Sequence, residues 1–300
     1  MLKFRQSAIS RFKRCRRSWM LGYHKDLTLS KKDQGADKRQ IGTGVHKALE
    51  TFHVHGFQRD GVQVWIEENA PEGPLDEGWQ KARELVNIMA DGYADWYEAE
   101  GFGAEEETLA VEHDYEMLLG TFGDGEEVVL TGRIDRVFRD LRTGNVVIED
   151  WKTVGSLDQE PGVMNDQLLT YATLWNALGK AADDPCHDAR HTQLKKVKRT
   201  ARAKPPFYGH VPVHISQEQL DNHLIHLASV VSDMVFCTQT LNAAPDGIHH
   251  AVAYPTPMPD RCKWDCDFLP VCELMDDGSD WKGMCETLYV PRETEVEVTV

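Results

Sequence analysis

Three hundred residues suffice for one large domain or two modest ones with a sizeable buried core. With 41% apolar and 27% charged residues the chain reads as an ordinary globular protein. Its charge-free runs stop at 13 residues, short of the about 18–20 apolar residues of a membrane span. The basic N-terminus lacks the apolar stretch of a secretory signal. Seven cysteines are odd in number and too sparse for a disulfide framework, which points to a reducing, cytoplasmic setting and to metal or cluster ligation.

A net charge of −16 taken alone would repel phosphate. The charge is unevenly spread, however. Residues 1–47 carry thirteen Lys/Arg against three acids, and residues 195–204 carry six more basic residues and no acid. Two basic segments on a strongly acidic body suggest a polyanion track beside a soluble surface.

In chain order, Ser7 opens a helical stretch to about Tyr23, with Ile9, Phe12, Trp19 and Met20 at helical spacing. Residues 24–40 read as loop, and Ile41–His55 as a helix with Val45, Leu49 and Phe52 on one face. Breakers at Pro71, Gly73 and Pro74 precede a long helix from about Gly78 to Glu100. Residues 107–119, 127–138 and 145–152 are β-rich runs separated by Gly/Asp turns. A helix at Asn165–Leu178, a strand near 207–215 and a helix near 217–238 follow. The last sixty residues read as irregular. This order predicts a mixed α/β fold, a mixed sheet flanked by helices. It is divided into an N-terminal basic segment 1–40, a core 41–240, a cysteine-rich segment 241–290 and a polar tail 291–300.

Chemistry concentrates at Gly132-Arg133-Ile134-Asp135 and at Glu149-Asp150-Trp151-Lys152. Strand residues two apart share a face, so Asp150 and Lys152 project together while Glu149 and Trp151 face the other way. A short turn would bring Asp135 beside Asp150, and two converging carboxylates suit magnesium or manganese. His46, early on its helix after Gly42 and Gly44, is a candidate for completing a metal shell. Gln167 and Tyr171 share one helical face. A second constellation is Cys262, Cys266 and Cys272, three cysteines within eleven residues. A fourth ligand would come from Cys285, giving a local zinc knuckle, or from Cys15, tying the first helix to the last segment.

The ordered set Gly-x-x-x-His, Gly-x-x-Asp, Asp-x-Lys and Gln-x-x-x-Tyr resembles the PD-(D/E)XK nuclease superfamily, and within it the RecB-type branch that includes CRISPR-associated exonucleases. The resemblance implies that His46, Asp135, Asp150 and the carbonyl of Trp151 ligate a divalent cation, that Lys152 positions the attacking water, and that Gln167 and Tyr171 assist. Iron–sulfur members place one cysteine before the His motif and three after the fold. That arrangement implies a 4Fe-4S cluster on Cys15, Cys262, Cys266 and Cys272, although the first C-terminal pair is spaced Cys-x3-Cys where the family usually has Cys-x2-Cys. Cys186, Cys237 and Cys285 are then plain thiols. DNA, with single-stranded ends as substrate, is the expected partner, in recombination, repair or CRISPR-type processing. Arg11, Lys13, Arg14 and Arg17, with Lys195, Lys196, Lys198 and Arg199, are the candidate backbone contacts. Trp19 and Tyr23 are expected in the core. The rival readings are a non-catalytic DNA-binding or spacer-processing subunit and a zinc-knuckle nucleic-acid-binding protein.

Overall fold

A computed structural model describes residues 1–29, 36, 38–157, 165–178, 184–243, 247–258, 262–263 and 265–292. In chain order the elements are β1 (Leu2–Arg5), α1 (Gln6–Arg14), α2 (Arg16–Trp19) running into a π-helical turn at Met20–His24, β2 (Leu27–Leu29), α3 (Lys38–His55), α4 (Gln58–Asn69), α5 (Glu77–Ala99) and α6 (Phe102–Glu105). Then come β3 (Glu106–Phe122), β4 (Glu126–Asp140), β5 (Val146–Val154), α7 (Asp166–Ala177), β6 (Cys186–Lys195), β7 (Tyr208–His214) and α8 (Gln217–Ala243). The chain closes with α9 (His249–Val252), α10 (Leu269–Cys272), α11 (Leu274–Asp277), α12 (Trp281–Leu288) and β8 (Tyr289–Pro291). Contacts group Met1–Gln34, Leu119–Val129 and His226–Val300 into one unit, and Gly35–Leu118 and Leu130–Ile225 into a larger one. Composition, with its cuts at 40, 240 and 290, does not resolve that grouping.

In the larger unit the strands run β4-β5-β6-β7, with β3 also paired to β4. The β4/β5 and β6/β7 pairs are antiparallel and β5/β6 is parallel, so the sheet is mixed, as the element order implied. Register does the sorting. Arg136 lies opposite Glu149, and Glu149 beside Arg190. These three share one face, so the neighbouring Asp135, Asp150 and His191 take the other.

On the first face, fully buried Arg136 contacts Glu149 at 3.0 Å and Glu106 at 2.7 Å. Arg190 contacts Glu106 at 2.6 Å and Glu149 at 2.7 Å. Thr108 and Tyr97 take further guanidinium protons of Arg136. Every carboxylate in this network has a guanidinium partner, the condition under which buried charges persist.

Helices α3, α4 and α5 carry an apolar cluster, with Val45, Leu49, Trp65, Trp79, Val86 and Met89 against Trp151, Leu194 and Tyr208 of the sheet. Asp76 caps α5 by accepting from Trp79 N at 2.9 Å, a contact worth about 1 kcal/mol. Helix α4 was not legible in the sequence because its buried set Val62, Trp65 and Ile66 is short, follows a glycine and is blurred by the exposed Val64. Gly61 is where α4 crosses α3: a Cβ there would stand 2.3 Å from Lys47 O and 2.8 Å from Ala48 Cα. Backbone cannot yield as a side-chain tip can, so Gly61→Ala is expected to cost about 1–3 kcal/mol in chemical denaturation. Strand β6 also escaped the sequence reading. Its run Arg190-His191-Thr192-Gln193 is polar yet wholly buried, so it shows no apolar alternation.

In the smaller unit the Met1 amino group pairs with Glu126 at 2.5 Å. Helix α1 buries Ala8, Ile9 and Phe12, and Trp19, only 2% exposed, packs edge-on against Phe12. Strands β2 and β8 pair antiparallel. By length and composition alone α8 is apolar enough to cross a membrane, a test that the core helix of a soluble protein also passes: an 18-residue window averages a hydropathy of 1.4, with 33% of it buried in the protein. Asp233 on α8 is paired with Arg16 at 2.6 Å, and Val231, Met234, Val235 and Cys237 are fully buried.

Candidate active site

The site grows out of the sheet register. Asp135, 6% exposed, and Asp150, fully buried, occupy neighbouring strands on the face away from the Arg136–Glu149 pair. Asp135 Oδ2 accepts from Trp151 N at 2.7 Å. Helix α3 brings His46 over the strand, with Nε2 3.0 Å from the Trp151 carbonyl and Nδ1 3.1 Å from Glu112 and 3.5 Å from Asp135. One ligand atom each from His46, Glu112 and Asp135 lies within 4.8 Å of the others.

Both ring nitrogens of His46 lie within reach of oxygen acceptors, an arrangement that favours the charged imidazolium while no cation takes its place. Burial opposes that charge, but Asp135 and Glu112 outweigh it and lift the pKa to about 9. Burial pushes Asp135 up to about 7, helped by Asp150 and Glu112 and opposed by His46 and the Trp151 N–H. Carboxylates this crowded demand positive charge, and the His46 proton supplies it. A hard divalent cation fits the same demand, with His46, Glu112, Asp135 and the Trp151 carbonyl as its available donors.

Glu112 was not singled out in the sequence, where it is one of several acids in a β-rich run. Its signal is conformational. At φ 43° it is left-handed, a conformation costing a non-glycine about 1–2 kcal/mol, and its carboxylate meets His46. Asp150, expected as a direct ligand, lies outside the group of three. Its oxygens accept from Lys152 Nζ at 2.7–2.8 Å and from His191 Nδ1 at 2.8 Å. Burial pushes the Asp150 carboxyl up, but the His191 hydrogen bond and the Lys152 charge outweigh it and hold the pKa below the usual value.

Asn165 caps α7 by accepting from Gln167 N and Leu168 N. One turn of helix then sets Gln167 Oε1 to accept from Lys152 Nζ at 3.0 Å, while Gln167 Nε2 donates to Tyr171 OH at 2.9 Å. The structure thus links Asp150, Lys152, Gln167 and Tyr171 in one chain of hydrogen bonds. His191, on a strand not expected from sequence, joins it.

The basic residues divide. Arg17 is 1% exposed, paired with both oxygens of Asp276 and donating to Cys272 O, so it is not available to a nucleic-acid backbone. Its place in a helix that buries Ser18 and Trp19 is the physical reason. Arg11 donates to Ser18, Arg14 pairs with Asp265, and Lys13 is exposed. Lys198 pairs with Glu84, Arg199 stacks 3.6 Å from the Phe207 ring centroid, and Lys195 and Lys196 are half-buried at the end of β6.

All four predicted cluster cysteines belong to the smaller unit and are free thiols. Thr256 N donates to Cys15 Sγ at 3.5 Å, and Arg17 Nη1 to Cys272 Sγ at 3.8 Å. Burial pushes the Cys272 thiol up; Cys15 and Cys266 add to the rise and Arg17 opposes it. The raised Cys285 thiol, by contrast, answers to burial, Lys25 and Glu286. Among the described residues Arg17 Nε, on the guanidinium whose Nη1 reaches Cys272 Sγ, is buried without a partner. An orphaned donor there is a place an anionic group on the Cys272 sulfur would satisfy.

This geometry, two carboxylates and an imidazole over a mixed sheet with an adjacent Asp-x-Lys, is that of a metal-dependent phosphodiesterase site. Residues 3–273 match the PD-(D/E)XK nuclease superfamily, and the chain belongs to it. No curated protein matches the chain. Among solved structures it is similar to SSO0001, at 15% identity over 77% of this chain and 83% of that one with a TM-score of 0.34. It is also similar to a protein from Eubacterium rectale named as a candidate exonuclease, at 10% identity over 87% and 92% of the two chains with a TM-score of 0.39.

Proposed function

We propose that the protein is a magnesium- or manganese-dependent DNA exonuclease of the RecB type that hydrolyses single-stranded ends. The observation that carries this reading is the convergence of His46, Glu112 and Asp135 beside the Asp150–Lys152 pair, in a chain of this superfamily. When bound, the cation supplies Lewis-acid stabilisation of phosphoryl charge and a more acidic water. Lys152, held by Asp150 and Gln167, orients the water for in-line attack and offsets charge developing on phosphorus. A P–O bond forms to the water oxygen, the bond to the departing nucleotide oxygen breaks, and the water's proton ends on that oxygen. Tyr171, its ionisation suppressed chiefly by burial, stays a neutral donor or acceptor behind Gln167.

The reading includes a 4Fe-4S cluster on Cys15, Cys262, Cys266 and Cys272, supported by the sulfur environment of Cys272 and the orphaned Arg17 Nε. It would join residues more than 240 positions apart within the smaller unit and so act as a staple. A cytoplasmic role in recombination, repair or CRISPR-type processing, with DNA engaged by Arg11, Lys13, Arg14 and the 195–199 run, completes it. Protein purified without oxygen is expected to be brown, to hold about four irons per chain, to lose them in Cys15→Ser and to keep them in Cys285→Ser. With manganese it is expected to shorten end-labelled single strands, and chelation to stop it. Inertness with every divalent cation on single- and double-stranded DNA and RNA would sink the enzyme reading.

A further inference from the structure

The hydrogen bonds around Asp150 extend beyond the nuclease motif in a direction that fixes a tautomer. Asn165 Oδ1 is engaged by the backbone N–H groups of Gln167 and Leu168, at 3.0 and 3.2 Å. Its Nδ2 therefore faces His191 Nε2, 2.6 Å away. An amide nitrogen only donates, so His191 Nε2 accepts and the ring proton sits on Nδ1. That Nδ1–H meets Asp150 Oδ2 at 2.8 Å, on a ring 9% exposed. Parallel pairing places His191 directly beside Asp150 on the neighbouring strand, so the contact is set by the sheet and not by loop placement.

We propose that Asn165 and His191 are positioning residues for the reaction: Asn165 sets the His191 tautomer, and His191 locks the Asp150 carboxylate so that Lys152 and the adjacent cation site meet it in one orientation. The inference rests on the nuclease reading and adds to it two residues outside its motifs. It also explains why one residue both caps α7 and touches β6. The helix that carries Gln167 and Tyr171 is thereby tied to the acid that Lys152 reads. Hydrogen-bonded supports of this kind commonly contribute about 10- to 100-fold to metal affinity or rate.

Two substitutions separate positioning from packing. In His191→Asn the amide nitrogen overlays Nδ1 and keeps a donor for Asp150, whereas His191→Leu keeps bulk and loses it. Leu is expected to weaken manganese binding and the cleavage rate about 10- to 100-fold, with Asn within about threefold of wild type. Asn165→Ser retains a good helix cap but not the donor to His191. It is expected to melt like wild type and to cleave several-fold more slowly. Nitrogen-15 NMR of the metal-free protein at mildly alkaline pH reads the tautomer without reference to activity. Wild type should show protonation at Nδ1 alone, and Asn165→Ser a mixture. Equal loss in His191→Asn and His191→Leu, wild-type rates in both, or an Nε2-protonated ring in wild type would each overturn the proposal. Wild-type protein that shows the expected tautomer but neither binds manganese nor cleaves would overturn the nuclease reading instead, and the catalytic purpose of the pair with it.

Discussion

Asp135→Asn is expected to cut the nuclease rate by about a hundred- to a thousandfold while leaving the protein folded. The carboxylate has two tasks. Oδ2 accepts the Trp151 N–H, which an asparagine oxygen can also do, and the negative charge sits 3.5 Å from His46 Nδ1 and within the group formed with Glu112. Only the second is lost. Burial lifts this carboxyl to about 7, so holding it ionised near neutrality works against folding, and a neutral isostere relieves that cost. Losing the charge that pairs with His46 opposes that relief, so thermal stability is expected to change by no more than about 1 kcal/mol. Steady-state cleavage with saturating manganese and a thermal melt on the same sample read the two effects separately. Retained activity would remove Asp135 from the chemistry; an unfolded variant would make it a structural acid.

Glu149→Ala is expected to lose about 3–5 kcal/mol of stability, the largest effect of any single change discussed. The side chain is fully buried and contacts Arg136 at 3.0 Å and Arg190 at 2.7 Å, with Thr192 Oγ1 as a further donor. Burial pushes this carboxyl up, but the two guanidiniums outweigh it and hold the pKa well below the usual range. Removing it leaves two buried cations with Glu106 as their remaining carboxylate. The cost arises from those stranded charges, so Glu149→Leu combined with Arg136→Met is expected to lose less than the two singles added together. Denaturant midpoints of the three variants measure this directly. A loss under about 1 kcal/mol in Glu149→Ala would mean that water reaches the network.

Several parts of the site were legible from residue order because they rest on short-range geometry. Asp150 and Lys152 share a face through the two-residue period, and they bond. Gln167 and Tyr171 share a face through the four-residue helical step, and they bond. His46 and Asp135 were reachable through the spacing of motifs alone. The misses have one cause. His191 enters the site through the parallel pairing of β6 with β5, and Glu112 through a contact with His46, 66 residues before it; nothing in either local run marks them, since Glu112 stands among other acids and His191 in a polar stretch without apolar alternation. Arg17 was misassigned for the complementary reason. A basic helix looks like a solvated face until Asp276, 259 residues on, is seen to bury its guanidinium.

Residue order alone carries the mixed α/β class and the hairpin that bears the acids, because periodicities of two and near four are imposed by local sterics; the motif order is legible only through its resemblance to the superfamily. Only the assembled fold sets which carboxylates converge on His46 and which face of the sheet becomes a neutralised ionic core. Those outcomes depend on strand register and on charge burial, and both are settled only when segments distant along the chain compete for the same few ångströms of dry space.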